Sequence, residues 1–228
     1  MRNLYHIAIE GVIGVGKTSL AKRLSKHLDA RLVLEEFEEN PFLSSFYGDR
    51  RRYAFQTQLF FLLSRYRQFQ DLRQTELFSK LLITDYMFQK DRLFAYLNLD
   101  ENEMSLYDKI ASMMEETITH PDLVIYLQAD TDRLLYNIRK RGRDFESNIK
   151  SDYIVELNQV YNEYFFRYKA SPLLIINATD IDFVNDEDDL SDLLETIRQP
   201  IEGTKFYNPI KRWCYALSNH IRPGLFCV

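Results

Sequence analysis

Gly11-Val12-Ile13-Gly14-Val15-Gly16-Lys17-Thr18 is the stretch on which the reading of this chain turns. It fits G-x-x-x-x-G-K-[ST] at every position, after a short apolar run and before a helical pattern. Glycines at these spacings let successive backbone N–H groups point inward at phosphate oxygens, and the helix start adds partial positive charge. A lysine in the seventh place reaches the β- and γ-phosphates, and the following hydroxyl ligates Mg²⁺. Three of the chain's seven glycines (Gly11, Gly14 and Gly16) fall here, in a sequence otherwise sparing with them. Gly11, Gly14, Val15, Gly16, Lys17, Thr18 and Ser19 are therefore the candidate phosphate-binding residues, with Thr18 also a metal ligand.

Outward from this loop, short apolar runs alternate with helical patterns. Strands are expected at 4–9, 31–34, 80–84, 123–127 and 173–176. Helices are expected at 19–28, 52–78, 89–97, 102–119, 130–141, 152–168 and 190–197, with Asp130 as an N-cap. This alternation predicts an α/β fold, a five-stranded parallel sheet with helices on both faces. Residues 1–198 read as one domain. The remainder, 199–228, holds the only Trp, both cysteines and three of six prolines, and reads as a weakly periodic tail.

Composition narrows the classes. The chain has 228 residues, 46% hydrophobic and 28% charged, ordinary for a globular domain. A net charge of −5 argues against a nucleic-acid partner. No apolar run is long enough for a membrane span, and the first residues lack a signal-peptide layout. Cys214 and Cys227 are too few for a disulfide scaffold, and a cytoplasmic location is expected. With 14% aromatics, the core is expected to be rich in rings.

Acids at strand ends come next, because ligands of open α/β sheets bind there. Glu35 follows the second strand and Asp85 the third. One such acid can accept the proton of an attacking hydroxyl, and another can hold Mg²⁺. In the long helix from 52, Gln58 and Arg65 lie two turns apart and share a face that could line a pocket. Arg139, Arg141 and Arg143 surround Gly142 at a helix end, as a closing lid that delivers guanidinium groups to a phosphoryl group would. Helix-dipole complementation is the plainer reading of those arginines. The acidic run 185–189 and the four histidines read as structural or solvated. No N-K-x-D guanine-reading motif is present.

Together these segments, over about 4–198, resemble the deoxynucleoside kinase family. Glu35-Glu36-Phe37-Glu38-Glu39-Asn40-Pro41-Phe42-Leu43 is similar to the family's Glu-Pro-Val loop, which implies Glu35 as general base for the 5′-hydroxyl. Arg52 to Gln58, continuing through Leu63-Ser64-Arg65, resembles the base-reading helix, so Gln58 and Arg65 would face the nucleobase. Asp85-Tyr86-Met87-Phe88-Gln89-Lys90-Asp91-Arg92 is similar to the E-R-S…D-R segment, with Asp85 the metal-site acid and Asp91 paired with Arg65. Tyr47 and Glu146 match residues on the sugar 3′-hydroxyl. Arg141-Gly142-Arg143 resembles the arginine-bearing lid, and Asp182-Phe183 the loop that reads the adenine of ATP. Three positions depart: Glu36 stands where the family has Pro, Tyr86 replaces an Arg that helps hold phosphates, and Asn137 replaces a lid Arg, for which Arg139 can stand in.

The resemblance implies a P-loop NTPase fold and a homodimer that uses ATP and Mg²⁺ to phosphorylate the 5′-hydroxyl of a deoxynucleoside in nucleotide salvage. Catalysis would fall to Glu35, Lys17, Arg141 and Arg143. A planar amide such as Gln58's pairs bidentately with adenine N6 and N7, so deoxyadenosine or deoxyguanosine is expected first and deoxycytidine next. Two other readings are a nucleoside-monophosphate kinase of thymidylate type and a P-loop domain that binds nucleotide without catalysis.

Overall fold

The computed structural model describes residues 4–75, 81–179, 181 and 186–208. Six strands form one sheet: β1 (His6–Gly11), β2 (Arg31–Val33), β3 (Leu82–Thr84), β4 (Leu123–Gln128), β5 (Leu173–Asn177) and β6 (Thr204–Tyr207). Their order is β2-β3-β1-β4-β5-β6, and every pairing is parallel. Ile7, Ala8 and Ile9, Val124 and Ile125, and Leu173 and Leu174 are fully buried, because helices cover both faces of the sheet.

The sixth strand corrects the expectation of five. Thr204-Lys205-Phe206-Tyr207 is an edge strand whose residues alternate between exposed and half-buried. It therefore lacks the continuous apolar run that marks the other strands.

The helices are α1 (Lys17–Leu28), α2 (Leu43–Gly48), α3 (Arg50–Thr75), α4 (Lys90–Asn98), α5 (Glu101–Glu115), α6 (Thr131–Arg141), α7 (Ser151–Arg167) and α8 (Glu187–Arg198). Asp130 caps α6 by accepting from Arg133 N at 2.7 Å. Asp100 and Glu103 form a reciprocal capping box that starts α5 a residue earlier than expected. The expected end of α3 at Phe78 lies outside the described residues.

Rings fill the space between α7 and the sheet: Tyr126 stacks on Phe165 at 4.2 Å, with Tyr161 beside them. Among the described residues, no helix is long and apolar enough to cross a membrane.

Helical spacing in α3 puts Phe55, Leu59, Leu62, Tyr66 and Phe69 on one apolar face, but the buried stripe is rotated from it. It runs Ala54, Thr57, Gln58, Leu62, Arg65, Phe69 and Leu72, so three polar side chains sit in line with the core. Helical spacing alone allowed either face, and the cleft beside α3 selects the polar one.

Candidate active site

Gly16 caps α1 with φ 105°, a left-handed conformation that only glycine adopts without strain. At Gly14 the constraint is contact: a Cβ there would stand 2.7 Å from the Leu134 carbonyl oxygen. Asn137, the departure in α6, donates to the Gly14 carbonyl at 2.8 Å and so braces the loop from outside. Lys17 Nζ donates to the Gly11 and Val12 carbonyls at 2.7 and 3.2 Å. Val15 is buried within the loop, and Ser19 lies in the first turn of α1.

The β3 end joins this loop to the rest of the site. Thr18 Oγ1 donates to Asp85 Oδ2 at 2.5 Å, and Asp85 Oδ1 accepts from Glu35 N at 2.8 Å. Glu10, fully buried at the end of β1, accepts from Met87 N at 2.8 Å and from Gly11 N at 3.1 Å. Burial raises the Glu10 pKa against the opposing pull of Lys90 and Lys17. Glu10 was not picked out from sequence. An acid just before the first glycine was its signal.

A cleft opens over these strand ends. Gly14, Lys17, Thr18, Glu35 and Asp85 line one part, and Tyr47, Gln58 and Arg65 another. Arg141, Arg143 and Glu146 reach it from the end of α6. Eleven of the residues expected at the site, Glu146 among them, thus meet in one cleft, from segments more than a hundred residues apart.

Glu35 is held by two cations. Its Oε1 accepts from Arg65 Nε at 3.1 Å and from Arg65 Nη2, and its Oε2 accepts from Lys90 Nζ at 2.6 Å. Burial alone would raise its pKa. Lys90 and Arg65 more than offset this and hold the carboxyl well below the usual carboxylate range. Arg65 Nη1 pairs with Asp91 Oδ1, and Tyr107 donates to Asp91 Oδ2 at 2.7 Å. Asp91 therefore stands behind Arg65 and does not line the cleft. It fixes the guanidinium plane that Phe61 covers at 4.9 Å.

Gln58 is 2% exposed, and its Oε1 has no hydrogen-bond partner. A buried acceptor left open costs about 1–3 kcal/mol, which a ligand donor would recover. Tyr47 stacks on Phe145 at 6.5 Å. Burial raises its pKa well above the ordinary value, so its hydroxyl stays protonated. Glu146 is 6% exposed and accepts from Arg141 Nε at 3.1 Å and Nη2 at 2.5 Å. Arg143 lies 4.3 Å over the Phe37 ring. Asp182 and Phe183, expected to read adenine, lie outside the described residues.

The model of one family, "Deoxynucleoside kinase", matches residues 7–202. This chain belongs to the deoxynucleoside kinase family. It is 33% identical over 200 residues to a deoxyguanosine kinase of Bacillus subtilis strain 168, covering 86% of this chain and 97% of that protein. A deoxyadenosine kinase of Lactobacillus acidophilus is 32% identical over 210 residues, covering 86% and 95%. In three dimensions the chain is similar to deoxyadenosine kinase from M. mycoides with bound dATP. The TM-score is 0.74 at 25% identity, over 86% of this chain and 100% of that one. Deoxynucleoside kinases draw their phosphoryl group from ATP, so this kinase is an ATP-dependent phosphotransferase, as the phosphate loop implied.

Proposed function

We propose that this kinase phosphorylates the 5′-hydroxyl of purine deoxynucleosides. The observation that carries the proposal is the part-buried, ionised Glu35, which shares one cleft with the phosphate loop and with the open acceptor of Gln58. A hydroxyl brought to Glu35 finds a proton acceptor, and a base laid against Gln58 finds an amide in need of a donor. The exocyclic amine of adenine supplies that donor while Gln58 Nε2 donates to N7. Guanine is accommodated if the amide turns over. Thymine would bring a C5-methyl toward the Arg65 guanidinium, which Asp91 holds from behind.

Tyr47 and Glu146 are suited to hold the sugar 3′-hydroxyl. Arg141 and Arg143, flanking Gly142, are suited to close over the transferring phosphoryl group as a lid. Thr18 Oγ1 and Asp85 Oδ2 are hard oxygen donors of the kind Mg²⁺ takes alongside phosphate oxygens and water. When bound there, the ion neutralises charge on the triphosphate. A monophosphate acceptor would need a further arginine. Among the described residues, the cleft's arginines are Arg65, already committed to two acids, and the two of the lid.

The kinase is read as a homodimer. Leu106 and Met113 lie two turns apart on α5, 50% and 75% exposed, with Leu63 of α3 47% exposed.

The experiment is a panel of the four deoxynucleosides assayed with ATP and Mg²⁺, with the product compared to authentic 5′-monophosphates. Deoxyadenosine or deoxyguanosine is expected to give the highest kcat/KM, with deoxycytidine next and thymidine poor. A thymidine preference would overturn the assignment of specificity.

A further inference from the structure

Lys90 opens α4 with only 5% of its surface exposed. A cation in the first turn opposes the helix dipole, and burial of an ammonium costs still more. The ion pair with Glu35 offsets part of that cost, and the cleft gives a second reason for the lysine. Lys90 lines it beside Lys17, and the two ammoniums repel each other. Two like charges in one cleft suit a ligand that carries several negative charges.

The two oxygens of Glu35 are held unequally. Oε1 belongs to Arg65, a planar group locked on its far side by Asp91 and covered by Phe61. Oε2 belongs to Lys90 alone, at 2.6 Å, and Lys90 rides on a flexible four-carbon stem beside the Phe94 ring. Only Oε2 can be freed without dismantling a buried network. The neighbouring position that could have carried a cation does not: Tyr86 is fully buried, packs edge-on against Phe69 and donates to Gln68 Oε1 at 2.5 Å.

We infer that Lys90 is a catalytic residue that changes partner during turnover, leaving Glu35 Oε2 for an oxygen of the transferring phosphoryl group. Oε2 is then open to the acceptor hydroxyl. A lone pair of the hydroxyl oxygen forms the bond to the γ-phosphorus, and its proton passes to Oε2. The electron pair of the broken P–O bond leaves on the β-phosphate oxygen of ADP. As Glu35 becomes neutral, the Lys90 charge acts in full on the phosphoryl oxygens. The inference rests on the reading of Glu35 as the base. That reading fails if wild-type enzyme forms no 5′-monophosphate, whereas Lys90 has a separate readout in anion binding.

Lys90→Met should weaken binding of inorganic tripolyphosphate, measured by calorimetry, by about tenfold or more, as expected for a lost charged contact. Its kcat should fall at least about 100-fold while deoxyadenosine affinity stays within about threefold. Lys90→Arg, which keeps the charge, should hold kcat within about tenfold of wild type. If Lys90→Met does not fold, Lys90→Gln, which can still donate to Glu35, should show the same losses. The inference is overturned by a neutral variant that binds tripolyphosphate like wild type. It is equally overturned by one that keeps kcat within about threefold, or loses only deoxyadenosine affinity.

Discussion

As the proposed base, Glu35 has three requirements to meet: an acceptor for a hydroxyl proton, a fixed position, and a charge that survives burial. Arg65 and Lys90 meet the last two, and the price is a carboxylate whose basicity is low until one cation turns away. Glu35→Gln keeps the shape and removes the proton acceptor. Steady-state kinetics should show kcat reduced by about 10²–10⁴, the range for a lost general base, with deoxynucleoside affinity little changed. A reduction under about threefold would make Glu35 a structural residue. Glu35, Gln58 and Arg65 were legible as a set because a strand-end acid and a two-turn polar spacing each have a chemical meaning. Lys90 was not legible, because a lysine one residue before an acid reads as a solvated helix start. Only the approach of β2 and α3 turns it into a buried cation.

At the scale of elements, the parallel register of β1 and β3 sets the distance between phosphate loop and Asp85. His6, opposite Leu82 in that register, joins the two strands: its Nε2 meets Thr84 Oγ1 at 3.0 Å, and the Thr84 hydroxyl donates to the Tyr86 carbonyl. Burial pushes the imidazole pKa down to about 4, against an opposing pull from Asp122. The folded value lies below the unfolded one, so above about pH 6.5 both states are neutral and the shift costs nothing. As pH falls from there toward 4, the unfolded chain takes up a proton that the fold refuses, and stability drops. Urea unfolding should show His6→Gln losing up to about 2 kcal/mol less than wild type between pH 7.5 and pH 5. Equal losses in the two proteins would remove His6 from the acid response. At this scale the central strands were readable as apolar runs. β6 was not, because an exposed edge strand has no such run, and neither was α2, a short helix whose buried face is only Leu43 and Phe46.

For the whole molecule, the exposed apolar side chains of α3 and α5 argue for a second copy of the chain. Light scattering at micromolar concentration should give a dimer, and Leu106→Glu combined with Met113→Glu should give a folded monomer, since two buried carboxylates are not tolerated in an apolar contact. A monomeric wild type would overturn the assembly. What the sequence by itself determined is the phosphate loop, the alternation of strand and helix, and hence the end of the sheet at which the cleft opens. Those features are local: glycine spacing, apolar runs and caps act over a few neighbouring residues. Only the tertiary structure decided which face of α3 is buried, that Asp91 stands behind Arg65 rather than in the cleft, that Lys90 lines the cleft, and that Glu10 ties Gly11 to Met87. Each depends on charges brought together from distant segments. Their energies are set by the burial and the partners that the fold supplies, and no local pattern carries that information.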